Sequence, residues 1–541
     1  MIFQTRMIRN FVFLAFTSIS VSTHSQAQGF YDTAPRFGQN SIFGSTKSMG
    51  MGGVQMGVGG EGSAQAVNPA APGLMRKSEI QFSLMPYLNT TSNTFRNGTV
   101  SADKSGMPVG NFSLSLTTLK TEDEENPIRA GVFTVSYNRV SVFHRKTVWE
   151  GETPLYQNNS SQPSNNSIID LYLAGANKPG SYPSQTILSD AGGNPIVFND
   201  NFKNDLVMAY SAYLLDTSGG SFVSAFPRSD LLKTGYYDQT LNHGMWNFGY
   251  SVNIKEKTYL GVSVGYVRGN YTSEVQYGET IQNVYVDPSN PNFSYLQGFK
   301  GVNFQLYKNL DQKQVGVNAN VGVVYKFSDE FRVSGAIQLP SLTWISEKYS
   351  PSITYDFNGL RDWNDPTKTI EPDKVTWFEN SFAYKLRMPA KFRGGFNWIA
   401  GKTGMLGVDV EYTDLSTTKL TEGDGGYNFV SENKIIQNTY KPTLNVKAGG
   451  ELRSGDYRFR LGFAYYPTAL KSGATYSNNV LKDTFYYTGG IGARFESWYW
   501  DIALVLGYSG TDYNYLPATI DQGISTKISN SQLRFGIGFI L

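Results

Sequence analysis

The chain has 541 residues, with 46 Lys and Arg against 44 Asp and Glu, and a formal net charge of +2. This near balance offers no basic surplus for displacing counterions, so no nucleic-acid partner is predicted. The sequence contains no Cys, which excludes disulfides, thiolate metal sites and thiol catalysis. Aromatic residues make up 14% and charged residues 17%, yet no apolar run approaches the ~20 residues of a spanning helix, so a helical membrane protein is excluded.

Residues 1–27 have the pattern of a secretory signal peptide. Arg6 and Arg9 precede the apolar run Phe11–Phe16, and Ser25-Gln26-Ala27 gives a small-x-small cleavage pattern. The pattern predicts a mature chain that begins at Gln28. Since the leader carries two arginines and no acid, that mature chain would have 44 basic and 44 acidic side chains.

Residues 28–77 show no strand periodicity and are rich in glycine. The stretch Met49–Gly62 includes Gly50, Gly52 and Gly53, and Asn68-Pro69-Ala70 follows it. Glycine at this density lets a backbone fold tightly in a narrow space. Residues 57–62 fit the pattern G-x-G-x-x-G, but no strand precedes them and prolines follow, so a dinucleotide site is not predicted.

From residue 78 onward, apolar and polar side chains alternate in segments joined by short turns. In the clearest pair, Trp246–Ile254 and Leu260–Tyr266 flank the turn Lys255–Lys257. Similar hairpins are predicted within residues 112–137, 315–339, 382–412, 444–465 and 487–508. With a first strand near Ile80–Leu84 and a closing strand, the pattern predicts an all-β transmembrane antiparallel barrel of about 14 strands over residues 78–541, with both ends on the periplasmic side.

The closing strand shows the alternation most clearly. Apolar side chains occupy every odd position from Leu533 to Leu541, while Gln532 and Arg534 share the other face. One face therefore suits lipid and the other a polar lumen.

The connections between hairpins are long and polar, as expected on the outer side of such a barrel. The largest is predicted at about residues 142–245 and contains two apolar-periodic pieces, Ile168–Leu173 and Leu206–Leu215, that suggest surface helices. It also carries many aromatic residues. Two interpretations stay open: a lid packed on itself, or an apolar surface that captures a ligand from outside.

Strand alternation also predicts charges that face the lumen, because charges facing lipid would cost several kcal/mol each. The predicted lumen set combines acids at Asp409 and Glu411 with the arginines Arg387, Arg393, Arg453, Arg458 and Arg460. These charges would form an interstrand ladder that also anchors the N-terminal segment. Alternatively, one or two arginines would receive the carboxylate of a ligand.

The order of these features resembles the FadL family of outer-membrane transporters for long-chain fatty acids and other hydrophobic compounds. The resemblance rests on the leader, the glycine-rich segment that ends in Asn68-Pro69-Ala70, and about fourteen strands. Shorter likenesses are Gln338-Leu339-Pro340-Ser341, Met388-Pro389 and the carboxyl end Arg534-x-Gly536-x-x-Phe539-x-Leu541, which resembles the signal read by the barrel-insertion machinery.

The family resemblance implies passive uptake of a hydrophobic small molecule across a bacterial outer membrane, with the chain as a multi-pass protein in outer-membrane lipid. Residues 28–77 would be a hatch that plugs the barrel, and Asn68-Pro69-Ala70 matches the short hatch motif. The ligand would leave sideways near the third strand, here about Ala130–Val140. Gly131, Asn138 and Arg139 suit a bulge or gap there, although ordinary strand variation explains them as well.

Catalysis is not predicted. His144 and His243 are the histidines of the mature chain and lack metal-ligand spacing, and no Gly-x-Ser-x-Gly elbow occurs, so neither a metal nor a cofactor is expected. The alternative function is a non-transporting barrel that serves as a scaffold for a protein-secretion or surface-attachment system. A general porin is disfavoured, because an open pore has no use for a plug.

Overall fold

The computed structural model describes residues 33–38, 41–120, 127–153, 167–176, 201–218, 221–224, 226, 229–284, 301–362, 365–376, 379–472, 482–513 and 523–541. The predicted signal peptide lies outside these residues. Among the helices described, none is long and apolar enough to cross a membrane.

The chain is dominated by antiparallel β-strands. In chain order they are β1 (Glu79–Leu84), β2 (Tyr87–Phe95), β3 (Gly98–Gly106), β4 (Val109–Leu119), β5 (Ile128–Thr153), β6 (Leu215–Ser218), β7 (Ser221–Ser224), β8 (Ser229–Ile254), β9 (Thr258–Val284), β10 (Asn303–Lys326), β11 (Phe331–Gln338), β12 (Ser341–Asp356), β13 (Arg361–Asp362), β14 (Asp365–Thr369), β15 (Asp373–Thr376), β16 (Asn380–Met388), β17 (Lys391–Ala400), β18 (Gly404–Asp414), β19 (Lys419–Thr421), β20 (Pro442–Ser454), β21 (Tyr457–Tyr466), β22 (Thr484–Arg494), β23 (Trp498–Tyr513) and β24 (Ile524–Ile540).

The helices are short. They are α1 (Thr33–Gly38), α2 (Thr46–Gly50), α3 (Ile168–Ala176), α4 (Asn201–Ser211) and α5 (Val430–Thr439), with 3₁₀ turns at Gly62–Ala66, Ala71–Leu74, Leu415–Thr417 and Asp424–Gly426.

Twenty of the strands form one closed sheet. Several are consecutive pieces of one pass through the wall, namely β1 with β2, β3 with β4, β11 with β12, β15 and β16 with β17, and β18 with β19. The wall therefore has 14 passes, which confirms the predicted strand number. Strand β24 closes the barrel by pairing with β23 on one side and with β1 and β2 on the other, so the wall has no free edge there.

The predicted alternation holds through the part of the wall that suits a bilayer. On β24 the odd residues Leu533 to Leu541 are 38–67% exposed, while Gln532 and Arg534 are buried. The three-residue turn between β8 and β9 has Lys255 and Glu256 at positive φ, and the Lys257 N–H donates to the Ile254 carbonyl at 3.1 Å.

Prolines interrupt four passes: Pro86, Pro108, Pro340 and Pro389 each lie between two strand pieces. A proline has no N–H to give to the ladder, so a central strand breaks there. At two of these breaks the alternation shifts by one residue. Ile337 and Leu342 both face outward across Pro340, although one is odd and the other even.

On one side of the barrel the strands continue far beyond the membrane-facing band. Strands β5, β8, β9 and β10 have 24–27 residues each. The predicted connection at 142–245 is therefore too long, because β5 runs to Thr153 and β8 begins at Ser229. Above the bilayer these strands carry polar side chains on both faces. The alternation of apolar and polar residues is lost there, so the sequence does not reveal where the strands end. Helices occur at Ile168–Ala176 and Asn201–Ser211, close to the two predicted pieces.

The largest apolar cluster lies inside the extended strands rather than in the bilayer. There Tyr172 of α3, Leu206 of α4 and Phe222 of β7 belong to one cluster with the wall residues Tyr237 and Phe304 and with Phe357, which follows β12. Tyr172, Phe222 and Tyr237 are at most 2% exposed. For the aromatic residues that the structure describes here, this packing favours a lid packed on itself over an exposed capture surface.

Candidate functional site: the filled lumen

The lumen of the barrel is filled by residues 33–38 and 41–77, hereafter the lumen segment. From Ile42 to Gly73 every residue except Gly60 is buried. Helix α1, helix α2 and the two 3₁₀ turns at Gly62–Ala66 and Ala71–Leu74 are linked by glycine-rich bends. Gly52 and Gly53 have φ of +70° and +80°, a conformation that a side chain strongly disfavours, so two of the predicted glycines are required by the backbone itself.

Glycines on the wall let the lumen segment pack backbone against backbone. A Cβ at Gly449 or Gly462 would overlap the Met51–Gly52 peptide, and a Cβ at Gly261 would overlap the Pro69 carbonyl. These inward glycines mark close approach of a second backbone. Together these glycines form a groove for the backbone of the lumen segment, and glycine recurring at inward positions of neighbouring strands is the signal in the sequence that could identify it.

The Asn68-Pro69-Ala70 triplet joins the lumen segment to itself and to the wall. Asn68 Nδ2 donates to the Met56 carbonyl at 2.8 Å and to the Val323 carbonyl of β10 at 3.3 Å. Its Oδ1 accepts from the Ala70 N–H at 3.1 Å. One buried amide therefore connects two turns of the segment and one strand.

Asp409 of β18 forms the most direct charged contact with the lumen segment. Its Oδ2 accepts the backbone N–H groups of Gln55 at 2.7 Å and Met56 at 3.0 Å. Lys447 stands opposite it on β20. Strand alternation predicts that Asp409 faces the lumen. Its two backbone partners lie more than 350 residues away, so no pattern in the sequence around Asp409 reveals them.

Two of the predicted arginines are buried in ion pairs. Arg393 bonds Glu411 at 2.6 Å and Gln338 at 3.1 Å, and also donates to the Val67 carbonyl of the lumen segment at 3.3 Å. Arg460 bonds Glu451 at 2.8 Å and Asp501 at 2.6 Å. Buried charges need such partners, so these contacts match the predicted interstrand ladder.

The remaining predicted arginines lie elsewhere. Arg453 and Arg458 are inward at the end of the barrel with the short turns; Arg453 pairs with Glu451 at 2.9 Å, and Arg458 donates to the carbonyls of Gly455 and Tyr457. The prediction for Arg387 is wrong. It is exposed on the outer side, opposite the outward Leu342, because the break at Pro389 shifts the alternation between β16 and β17.

A cavity lies between the lumen segment and the wall. Its lining is half apolar, with Phe37, Phe43, Ala66, Val140, Met245, Val267 and Met388, and half polar, with His243, Gln314, Asn318, Gln338, Ser341, Thr343, Lys391 and Arg393. The space open to a water-sized molecule is about 50 Å³. An apolar cavity that accommodates benzene is of order 150 Å³. In this state the cavity is too small for an aromatic ligand.

One edge of the cavity lies at a bulge in the third pass of the wall. The pairing of β5 with β8 jumps from Arg139 to Ser141, which leaves Val140 out of register. Ser41 of the lumen segment donates to the Val140 carbonyl at 2.9 Å. The ladder between β4 and β5 ends at the pair of Asn111 and Asn138, so the described wall is irregular at the predicted exit.

The described residues contain no group of three or more His, Asp or Glu side chains that could hold a metal ion. His144 lies on the wall of the barrel, with its Nε2 atom 3.1 Å from Asp238 Oδ1. His243 lines the cavity in the lumen. The two histidines therefore belong to different environments.

The architecture is thus a closed fourteen-pass antiparallel barrel that contains its own N-terminal segment. The structure resembles the Pseudomonas putida toluene transporter TodX, with a TM-score of 0.50, 12% identity, and 92% of this chain matched to 99% of that chain. A Pseudomonas aeruginosa FadL homologue gives the same values. The chain thus has the fold that the sequence resemblance predicted. No protein-family model and no curated protein sequence matches it.

Proposed function

We propose that this protein carries hydrophobic small molecules passively across a bacterial outer membrane, and that the lumen segment is the hatch that gates passage. The observation that carries the proposal is the closed lumen itself. The cavity beside Phe37 and Phe43 is half apolar, it reaches the bulge at Val140, and it is smaller than any such ligand. A ligand therefore needs the lumen segment to move.

The fold neighbours support a hydrophobic cargo, since TodX is described as a toluene transporter. An apolar molecule gains nothing from entering water on the far side of the barrel, so an exit toward lipid is favoured. Val140 both lines the cavity and lies at the bulge in the wall, so a route through the bulge starts directly at the cavity. Long-chain fatty acids and hydrocarbons both meet these requirements.

The test uses the fact that the chain has no Cys of its own. In the variant T46C/G536C, a disulfide would link α2 to β24. The Thr46 Cβ lies 2.9 Å from the position that a Gly536 Cβ would occupy, which is within 1 Å of the mean Cβ–Cβ distance in a disulfide, about 3.8 Å. The control G73C/S251C, with a corresponding separation of 3.4 Å, links the segment close to its junction with β1. Uptake of labelled toluene and oleate is measured in cells that lack such a transporter.

We expect oxidation to abolish uptake by T46C/G536C, reductant to restore it, and the control to transport in both states. Full uptake by the oxidised T46C/G536C protein, with the cross-link verified by mass spectrometry, would show that the body of the lumen segment does not gate. Equal uptake with and without the wild-type protein would refute transport altogether.

A further inference from the structure

A notch in the wall opens into the cavity at Gly269 of β9. Gly269 pairs with His243 on β8 and with Gln314 on β10, so these two side chains flank a position that has none. The Gln314 Oε1 atom lies at the notch, 2.6 Å from the position that a Gly269 Cβ would occupy. The notch is therefore bounded by an imidazole and a carboxamide.

Each of the two flanking side chains is buried and has one polar atom without a hydrogen-bond partner among the residues that the structure describes. His243 is 5% exposed and Gln314 3%, and both line the cavity. Within the described residues, neither His243 Nε2 nor Gln314 Oε1 has a partner. A buried polar atom left unpaired costs about 1–3 kcal/mol, so a pair of them in one cavity is expected to serve a ligand.

An aromatic ring of the lumen segment already occupies the notch. Phe37 of α1 approaches within 3.4 Å of the Gly269 Cβ position. Its ring meets the His243 imidazole edge to face, with centroids 6.0 Å apart and an interplanar angle of 82°. The notch thus accepts a phenyl ring, and the ring that fills it in this state has no polar group to offer Gln314 or His243.

We propose that this notch binds a hydroxylated aromatic ring, a ligand of the phenol class, after α1 withdraws Phe37. The ring would take the place of the Phe37 ring. Its hydroxyl would donate to Gln314 Oε1 and accept from the His243 Nε2–H, which matches the one donor and the free acceptors of a hydroxyl. The inference rests on the proposed transport function and adds the class of ligand to it.

The same cavity is less suited to a carboxylate. Its two cations already have partners: Lys391 donates to the Gly38 carbonyl at 3.3 Å, and Arg393 is bonded to Glu411, Gln338 and Val67. A carboxylate also has no proton to donate to Gln314 Oε1. Toluene would fit the notch but would leave both polar groups unpaired.

The test compares phenol with toluene, which has nearly the same shape, and with benzoate. Binding of each labelled compound to the purified protein is measured by equilibrium dialysis in the F37A variant, where the notch is vacated. Q314M removes the carboxamide at similar volume. Q338M is the matched control, because Gln338 lines the same cavity but its Oε1 already accepts from Arg393 at 3.1 Å.

We expect F37A to bind phenol roughly five- to tenfold more tightly than toluene, the effect of two neutral hydrogen bonds at the lower end of their range. F37A/Q314M should reduce this ratio to roughly two- to threefold, because only the bond from His243 then remains, and F37A/Q338M should keep it. A ratio near one in F37A, an equal loss in both double variants, or tightest binding of benzoate would each overturn the proposal.

A second measurement covers the case in which F37A does not fold. Competition of phenol and of toluene against toluene uptake is measured in the wild-type protein and in Q314M. We expect the advantage of phenol to be reduced only in Q314M. If toluene is transported but phenol competes no better than unlabelled toluene, the ligand class is wrong and the transport function stands. If toluene is not transported at all, the proposed function itself fails.

Discussion

The Asp409 carboxylate allows a quantitative test of how firmly the lumen segment is attached. In the variant D409N, one oxygen still faces the backbone N–H groups of Gln55 and Met56, but the negative charge is lost. The shape of the site stays nearly the same. The variant therefore removes the charge from two hydrogen bonds, together with the attraction between Asp409 and Lys447 on β20.

A hydrogen bond to a charged group contributes about 1.5–3 kcal/mol, against about 0.5–1.5 kcal/mol for a neutral one. Over two bonds the difference is roughly 2–3 kcal/mol. The amide is easier to desolvate than the carboxylate, which offsets part of this loss, so the lower end is expected. About 2 kcal/mol corresponds to roughly a 30-fold larger population in which Gln55 and Met56 are detached.

The assay is hydrogen–deuterium exchange of the peptide that contains residues 53–58, in the folded protein in detergent. We expect its exchange to be about 30-fold faster in D409N, because exchange follows the open population when closing is fast. D414N is the control: Asp414 ends the same strand and caps the 3₁₀ turn at Ser416, away from the lumen segment. Exchange in D409N within threefold of wild type would refute the assigned anchoring by Asp409.

Three further predictions test the membrane face, the glycine groove and the Asn68 amide. V262R places a charge on the outward face of β9 and should destabilise the barrel by about 2–4 kcal/mol in urea titrations in vesicles, whereas N270R, higher on the same face, should cost about 0–1 kcal/mol. G462A should expose the lumen segment to limited proteolysis, since its Cβ would overlap the Gly52 amide, whereas G489A, with its nearest side chain 3.8 Å away, should not. N68A removes two hydrogen bonds to carbonyls and should weaken the attachment of the segment by about 1–3 kcal/mol, measured by the same exchange experiment.

The wall of the barrel follows from the sequence because its cause is local. Alternation along one strand decides which side chains meet lipid, and a short polar turn decides where the chain reverses. The closing strand Leu533–Leu541 shows both properties and was predicted with the correct faces. Arg387 shows the limit: the alternation was extended through Pro389 as if the strand were continuous, and the break moved Arg387 to the outside.

The attachment of the lumen segment depends on contacts that no local pattern reveals. Asn68 was recognised as part of a motif, but its partner Val323 lies on a strand 255 residues away. Gly449 and Gly462 look like ordinary strand glycines until the Met51–Gly52 peptide is placed against them. Whether Arg393 binds a ligand or its own protein depends on three partners brought together by folding.

The distribution of these contacts around the barrel is unequal. On β11, β17, β18 and β24 the lumen segment is held by charged side chains, through Arg332, Lys391, Arg393, Asp409 and Arg534. On β5 and β8 the described hydrogen bonds of the segment are neutral, as in the bonds of Gln65 to Ser136 and to the Asn247 carbonyl, whereas on β10 Arg36 donates to Gln312 at 2.5 Å.

Neutral hydrogen bonds contribute about half as much as charge-assisted ones. The segment is therefore held least firmly where it faces β5 and β8. That side also contains the cavity, the notch at Gly269 and the bulge at Val140. If the segment moves as proposed, it separates first from the wall at the place where a ligand would enter the cavity and leave through the bulge. Full passage then requires the contacts on the charged side to break as well, so a disulfide between positions 46 and 536 on that side is expected to keep the route closed.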